Sequence, residues 1–263
     1  MTIAKGRKAL VTGGASGFGL AVATALDAAG AAVALLDVSD EHLRAAADKL
    51  PGAVTVRADV RSPGEVGAAV DEATRALGGL DTLVVSAGVI HIKPLEDVAE
   101  ADWDLTLDVN LKGAFLVAQA ASGALAASGR GRIVTISSDA GKRGFAWLQA
   151  YCSSKFGLIG LTESLAVELA ASGTTANCIC PVGCPTTAMG QEVLDWKVAR
   201  AGVGPEEIMA STARSNPLGR NATEDDIVAA ALFFISDEGA FLTGSALDVD
   251  GGAHLGFAFP GAA

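Results

Sequence analysis

Apolar and polar positions follow one another along this chain with two different rhythms. Short runs rich in Val, Ile, Leu and Thr are apolar almost without interruption, and between them lie Ala-rich stretches whose apolar positions recur at helical spacing. The runs predict strands over residues 9–12, 32–37, 54–58, 82–86, 132–137, 175–180 and 246–249. The stretches between predict helices near 17–29, 41–50, 64–77, 103–127, 151–171 and 224–235. Strand–helix alternation at this spacing predicts the α/β class: a Rossmann-type doubly wound parallel sheet of about seven strands, flanked by helices. Uninterrupted apolar strands suit such a sheet, because helices cover both of its faces. Right-handed crossovers then place a ligand at the carboxyl ends of the strands. No linker divides the chain, so residues 1–263 read as a single domain. One stretch breaks the rhythm: residues 186–221, with Met189, Trp196 and Met209, read as a substrate lid, or else as a surface helix pair that only packs.

Composition tests that reading. The 263 residues are half apolar, with a mean hydropathy of +0.40. The longest apolar stretch, residues 21–36, is interrupted by Asp27 and Gly30 and falls short of the roughly 20 residues a membrane span needs. Lys5, Arg7 and Lys8 precede only a few apolar residues before Gly13, the pattern of a strand start and not of a signal peptide. Thirty acidic residues against 19 basic ones give a net charge of −11, which argues against a nucleic-acid partner and against adhesion to anionic lipid. Cys152, Cys178, Cys180 and Cys184 have no His or acidic neighbour at ligand spacing, and Cys-x-Cys is poor disulfide geometry. Free thiols, no metal and a reducing, cytoplasmic compartment are the expectation.

Gly13-Gly14-Ala15-Ser16-Gly17-Phe18-Gly19 follows the first predicted strand and opens the first helix. Glycines there let the backbone turn tightly and approach a pyrophosphate, while the helix N-terminus supplies N–H donors. This points to a dinucleotide; the alternative is a glycine-rich connection with no ligand. Asp37 ends the second strand, where a carboxylate accepts from ribose hydroxyls and repels a 2′-phosphate. Val38 and Ser39 follow it and bring no cation, so NAD is favoured over NADP. A solvated acid at a strand end is the rival reading.

Tyr151 and Lys155 stand four apart at the start of the long helix after the fifth strand and share one helix face. A phenol of pKa about 10 is a poor acid or base at neutral pH, and a neighbouring ammonium favours its phenolate. Such a pair suits proton exchange with a carbonyl being reduced or an alcohol being oxidised. Ser138 ends the fifth strand, where its hydroxyl can hold the substrate oxygen; Ser137 beside it is the competing choice. Tyr151 is the one tyrosine of the chain.

Over nearly its whole length the chain resembles the short-chain dehydrogenase/reductase family, in its single-domain branch. The resemblance rests on Thr12-Gly13-x-x-x-Gly17-x-Gly19, Asp59-Val60, Ala87-Gly88, Asn110, Ser138, Tyr151-x-x-x-Lys155 and Asp250-Gly251-Gly252. It implies that Tyr151 exchanges the proton while hydride moves between nicotinamide and the carbinol carbon. It implies also that Lys155 lowers the tyrosine's pKa and binds the nicotinamide ribose, that Ser138 orients the substrate oxygen, and that Asn110 holds a relay water. Asp59 and Val60 would contact adenine, with helix capping as the alternative for Asp59. Ala87 and Gly88 would line the cofactor site, and Pro181, Gly183, Cys184 and Thr186 would grip the carboxamide. Two departures stand out. The family's Asn-Asn-Ala-Gly is here Val85-Ser86-Ala87-Gly88, which removes an Asn that bridges strands, and its Pro-Gly is here Pro181-Val182-Gly183.

Substrate signals are thinner. His91, Phe145, Trp147 and Trp196 are candidate pocket residues, suggesting a largely apolar secondary alcohol or ketone. His91, Lys142 and Arg143 add the option of an anionic group on it. The leading reading is an NAD-dependent secondary alcohol dehydrogenase; the rivals are an NADPH-dependent ketoacyl-type reductase and an inactive NAD-binding regulatory protein. The resemblance implies a homodimer or homotetramer, paired through the helices at 103–127 and 151–171. Leu255, Phe257 and Phe259 in the tail are candidates to cover a neighbouring subunit.

Overall fold

A computed structural model describes residues 4–256. Seven strands form the sheet: β1 (Lys8–Thr12), β2 (Ala32–Asp37), β3 (Val54–Arg57), β4 (Thr82–Val85), β5 (Arg132–Ile136), β6 (Thr175–Pro181) and β7 (Ala246–Val249). All pair in parallel, in the order β3-β2-β1-β4-β5-β6-β7. The order reverses between β1 and β4, and a crevice opens there at the strands' carboxyl ends.

Alternate residues of the inner strands enter two cores. Val11, Val33, Leu35 and Val84 pack on one face of the sheet, and Leu10, Ala34, Leu36 and Leu83 on the other. On the first face lie α1 (Gly17–Ala28), α2 (Asp40–Lys49) and α9 (Glu224–Ile235); on the second lie α3 (Pro63–Leu77), α5 (Gly113–Ala127) and α6 (Gln149–Leu169). Because the five inner strands are buried on both faces, period-2 polarity is lost there and they read as plain apolar runs, while the edge strands β3 and β7 are partly exposed.

One element differs from expectation. The helix predicted over 103–127 begins earlier and is broken: α4 (Glu100–Leu107), a π-helical turn at Asp108–Lys112, then α5. The insertion folds as two helices, α7 (Ala188–Ala201) and α8 (Pro205–Ser215). Among the described residues no helix is long and apolar enough to cross a membrane, and all four cysteines are buried and free. Leu255 is exposed, whereas Phe257 and Phe259 lie outside the described residues.

The packing of α1 onto the turn before it has little tolerance. A Cβ at Gly19 would stand 2.2 Å from the Gly13 carbonyl oxygen. Gly19→Ala is therefore expected to cost about 1–3 kcal/mol as an overpacking change. Gly67→Ala, in α3 with open space around it, should stabilise by about 0.5–1 kcal/mol through helix propensity. Urea midpoints of the two variants at unchanged m-value check both signs.

Candidate active site

One cleft of about 1310 Å³ runs along the carboxyl ends of the strands. It exceeds the roughly 300–1,000 Å³ of ordinary small-ligand sites, leaving room for a dinucleotide with a second molecule beside it.

At its first end the turn after β1 presses against the connection after β4. Gly13 has φ +60°, and a Cβ on it would lie 2.8 Å from Ala87 Cα, so this approach requires glycine. The Thr12 hydroxyl accepts the N–H groups of Ser86 and Ala87 at 3.2 and 3.3 Å. The cross-strand bond expected from an Asn at this point is thus made from β1, and Ser86 needs to supply only its backbone. Ser16 is the N-cap residue of α1, yet no side chain caps this helix and its first turn holds no acid. Ser39 and Ser62, by contrast, cap α2 and α3. The first N–H groups of α1, with the positive end of its dipole, are left for a ligand beside Ser16, Gly17 and Phe18. Gly19 serves packing and does not line the cleft.

Asp37 lines the same end, 9 % exposed, and its carboxylate accepts from Ala15 N at 3.4 Å and Ser39 N at 3.1 Å. It is a fixed acceptor, not a solvated acid. Asp59 also lines the cleft, but Arg61 holds its carboxylate through Nε at 2.9–3.0 Å and Nη2 at 2.6 Å. That bond to Arg61 keeps the Asp59 carboxyl below its usual range. Asp59 is not the α3 cap, which is Ser62. Arg61 is a cleft residue that sequence reasoning missed. No cation follows Asp37 in the chain, but β3 runs beside β2 and delivers its own following loop to the same place. Val60, Ala87 and Gly88 line the middle of the cleft, as do Pro181, Gly183 and Cys184. Thr186 does not: its hydroxyl donates to Glu224 Oε2 at 2.7 Å. The chain turns there to start α7, capped by the next residue, Thr187.

The chemical groups meet over β5 and α6. Ser137 and Ser138 separate cleanly, since the Ser137 hydroxyl donates to the Lys155 carbonyl at 2.9 Å. Ser138 instead accepts from Ala140 N at 3.1 Å and donates to Asp139 Oδ1 at 3.0 Å, while the Tyr151 hydroxyl donates to Met189 Sδ at 4.0 Å. Lys155 Nζ lies 5.5 Å from the centroid of the Tyr151 ring and donates to the Ile136 carbonyl at 2.9 Å. Burial pushes the Lys155 ammonium down to about 8. Burial also pushes the Tyr151 phenol up to about 12, against the pull of Ser138. This corrects the expectation of a depressed tyrosine: Lys155 stands against the ring face and gives a hydrogen to a backbone carbonyl, so desolvation of the phenol prevails. Asn110 sits in the π-helical turn and is no simple helix-interior residue. Its amide accepts from Val89 N at 2.8 Å and donates to Val89 O at 2.9 Å and Ser154 Oγ at 3.0 Å.

On the substrate side, His91 and Phe145 line the cleft. His91 Nδ1 pairs with the Thr106 hydroxyl at 2.9 Å, and the Arg143 guanidinium lies 5.0 Å from the Phe145 centroid. Lys142 is turned away to Asp248 at 2.7 Å. Trp147 and Trp196 lie outside the lining: they pack on each other at 5.2 Å, with Arg200 stacked 4.1 Å from Trp147. Trp147 has φ 67°, a conformation that no sequence signal announces. In their place Leu148, Met189, Val193 and Met209 supply apolar wall, much of it from α7 and α8.

A glycine-rich turn at the switch crevice, with a tyrosine, a lysine and a serine across from it, defines a nucleotide-dependent oxidoreductase architecture. The chain belongs to the short-chain dehydrogenase/reductase family, whose dehydrogenases act on CH–OH groups. The family model described as enoyl-(acyl carrier protein) reductase matches residues 13–254. The chain is 36 % identical over 247 residues to 2-(S)-hydroxypropyl-CoM dehydrogenase 3 of Xanthobacter autotrophicus, covering 92 % of this chain and 94 % of that one. It is 39 % identical over 254 residues to the 3-alpha-(or 20-beta)-hydroxysteroid dehydrogenase of Mycobacterium bovis, covering 96 % and 91 %. Among solved structures it superimposes on sorbitol-6-phosphate 2-dehydrogenase SrlD from Erwinia amylovora with a TM-score of 0.89 at 32 % identity, covering 93 % and 98 %.

A lysine lowered to about 8 costs stability wherever it is charged in the fold. Between about 8 and the ordinary value the unfolded chain binds more protons, so the cost is full below pH 8 and is relieved as pH rises. Lys155→Met is accordingly expected to raise the urea midpoint at pH 7 and to lose that advantage progressively toward pH 10. A variant less stable at pH 7 would contradict this reading of the buried ammonium.

Proposed function

We propose that this protein interconverts a secondary alcohol and a ketone with NAD, Tyr151 being the acid/base. The observation that carries the reading is the convergence of Ser138, Tyr151 and Lys155 on the same cleft that Asp37 and the uncapped α1 terminus enter from the other end. NAD, when bound, supplies the hydride acceptor or donor at its nicotinamide ring. The glycine turn fits it, for backbone N–H groups are free there and no Cβ stands in the way. Asp37 would accept from the adenosine ribose hydroxyls and repel a 2′-phosphate. Val60, Ala87 and Gly88 would line its middle, and Pro181, Gly183 and Cys184 its far end.

Around the substrate, Ser138 would fix the reacting oxygen and Tyr151 would exchange a proton with it. A phenol at about 12 is protonated at neutral pH, ready to donate to a carbonyl oxygen. For oxidation its phenolate must be stabilised, and the ammonium of Lys155 against its ring is the charge that does so. Asn110 holds the connection after β4 and the first turns of α6 at fixed separation, through Val89 and Ser154. The apolar wall from Leu148, Met189 and Val193 favours a largely apolar substrate and excludes water. Residues 186–221 would act as its lid, the whole described chain being one catalytic domain. The expected working form is a homodimer or homotetramer in the cytoplasm.

One observation favours a second reading, use of NADPH: Arg61 is a cation at the Asp37 end of the cleft. Its engagement with Asp59 leaves Asp37 as the stronger influence.

A panel of acyclic, cyclic, aromatic and anionic secondary alcohols, followed by NADH absorbance, tests the activity. Tyr151→Phe should lower turnover by about 10²–10⁴-fold, the usual contribution of a positioned acid/base. If the biological effect of the protein survived that change, the regulatory reading would replace this one. Asp37→Ala should shift the NAD:NADP ratio of kcat/KM toward NADP by about tenfold or more, since hydrogen bonds to a charged group contribute about 1.5–3 kcal/mol. An unmoved ratio would remove Asp37 from cofactor selection.

A further inference from the structure

Ser138 has a single hydroxyl hydrogen, and it is already committed. The hydroxyl donates to Asp139 Oδ1 at 3.0 Å, while its oxygen accepts the Ala140 N–H at 3.1 Å. A carboxylate is a stronger acceptor than a neutral carbonyl. A substrate oxygen that needs the serine hydrogen must therefore compete with Asp139 for it. Asp139 is in turn held by Arg143, whose Nη2 donates to Oδ2 at 3.0 Å; the Asp139 side chain is 15 % exposed and that of Arg143 40 %. Arg143 is anchored on two further sides, by its stack on Phe145 and by a bond to the Ala253 carbonyl at 3.4 Å. Both residues line the cleft. Hydrogen bonds thus run from Ser138 through Asp139 to Arg143, in the cleft that Tyr151 also lines.

We propose that Asp139 and Arg143 are positioning residues that set the pH at which Tyr151 gives up its proton: Asp139 by holding the Ser138 hydrogen and placing a negative charge beside the phenol, Arg143 by holding and offsetting that charge. The assignment rests on the roles proposed for Ser138 and Tyr151. The charge of Asp139 pushes the phenol pKa upward, in the same direction as burial. Other titratable and charged groups face the same space. Lys155 and Cys152 come from α6, His91 from the connection after β4, and Glu192 and Lys197 from α7. None of these forms a hydrogen bond with Ser138. Asp139 alone joins the serine hydrogen to a charge, and its carboxylate has a cation bound on the oxygen that the serine leaves free.

The test uses the pH profile of kcat/KM for alcohol oxidation together with ultraviolet titration of the phenolate, which in a chain with one tyrosine reports Tyr151 alone. Asp139→Asn preserves shape and removes charge, and it should move the acid limb and the onset of phenolate absorbance about one pH unit lower, a Coulombic effect of ordinary size near a protein surface. Arg143→Met should move both higher, and Arg143→Lys should restore values near the parent's. Tyr151→Phe should abolish the absorbance change, which verifies its source. Limbs that stay in place, or that move in the same direction for Asp139→Asn and Arg143→Met, overturn the proposal. A role in loop stability alone would lower the thermal midpoint and leave the limbs unmoved. Should Arg143→Met not fold, Asp139→Asn and Arg143→Lys decide between the same outcomes. If no alcohol in the panel is oxidised, the functional reading fails, while the phenolate titration still decides whether Asp139 and Arg143 act on the phenol.

Discussion

Close approach between two backbones, the turn after β1 and the connection after β4, governs where everything else in the cleft can sit. The parallel register ends both strands together, with Thr12 opposite Val85. Only a residue without a Cβ can follow Thr12 at that separation, and the Thr12 hydroxyl then ties Ser86 and Ala87 to β1. From this junction the rest is reached in short steps. Val89, two residues past Ala87, is gripped on both its N–H and its carbonyl by Asn110, which also reaches Ser154 on α6. Tyr151 and Lys155 flank Ser154 on that helix. The two ends of the cleft are thus joined through one run of hydrogen bonds.

The π-helical turn at Asp108–Lys112 belongs to the same construction. A continuous α-helix from α4 into α5 would space its side chains by a single period. One wider turn rotates the side chains of α5 relative to those of α4, and it lets a buried amide leave the helix surface and meet a strand connection. An Asn so deeply buried is tolerated because both ends of its amide are satisfied.

The parts of this structure legible in the sequence are those that depend on local chemistry. Strands buried on both faces show as unbroken apolar runs, and β2, β7 and α9 lie where the pattern put them. The glycine turn, Asp37, Ser138, Tyr151 and Lys155 are legible because a parallel sheet delivers successive strand ends to one edge. What escaped depends on distant partners. Arg61 reaches the cleft because β3 lies beside β2; Thr186 leaves it because Glu224 is within reach. Trp147 and Trp196 looked like pocket residues because they are aromatic and near Tyr151 in sequence, but they satisfy each other instead. The rise of the Tyr151 pKa was illegible for a similar reason. Spacing shows that an ammonium is near, whereas the loss of water around the phenol depends on α7 and on the whole enclosure.

That tryptophan contact also gives the molecule an optical property. Two of its three indoles meet at the seam where the loop leading into α6 touches α7, under a guanidinium that stacks on both; the third, Trp103, stands apart on α4. Two of the chain's three indoles therefore stand at the roof of the cleft. A displacement of α7 from that loop separates two chromophores from each other and from a cation at once, so the roof carries its own gauge of position, with no label added.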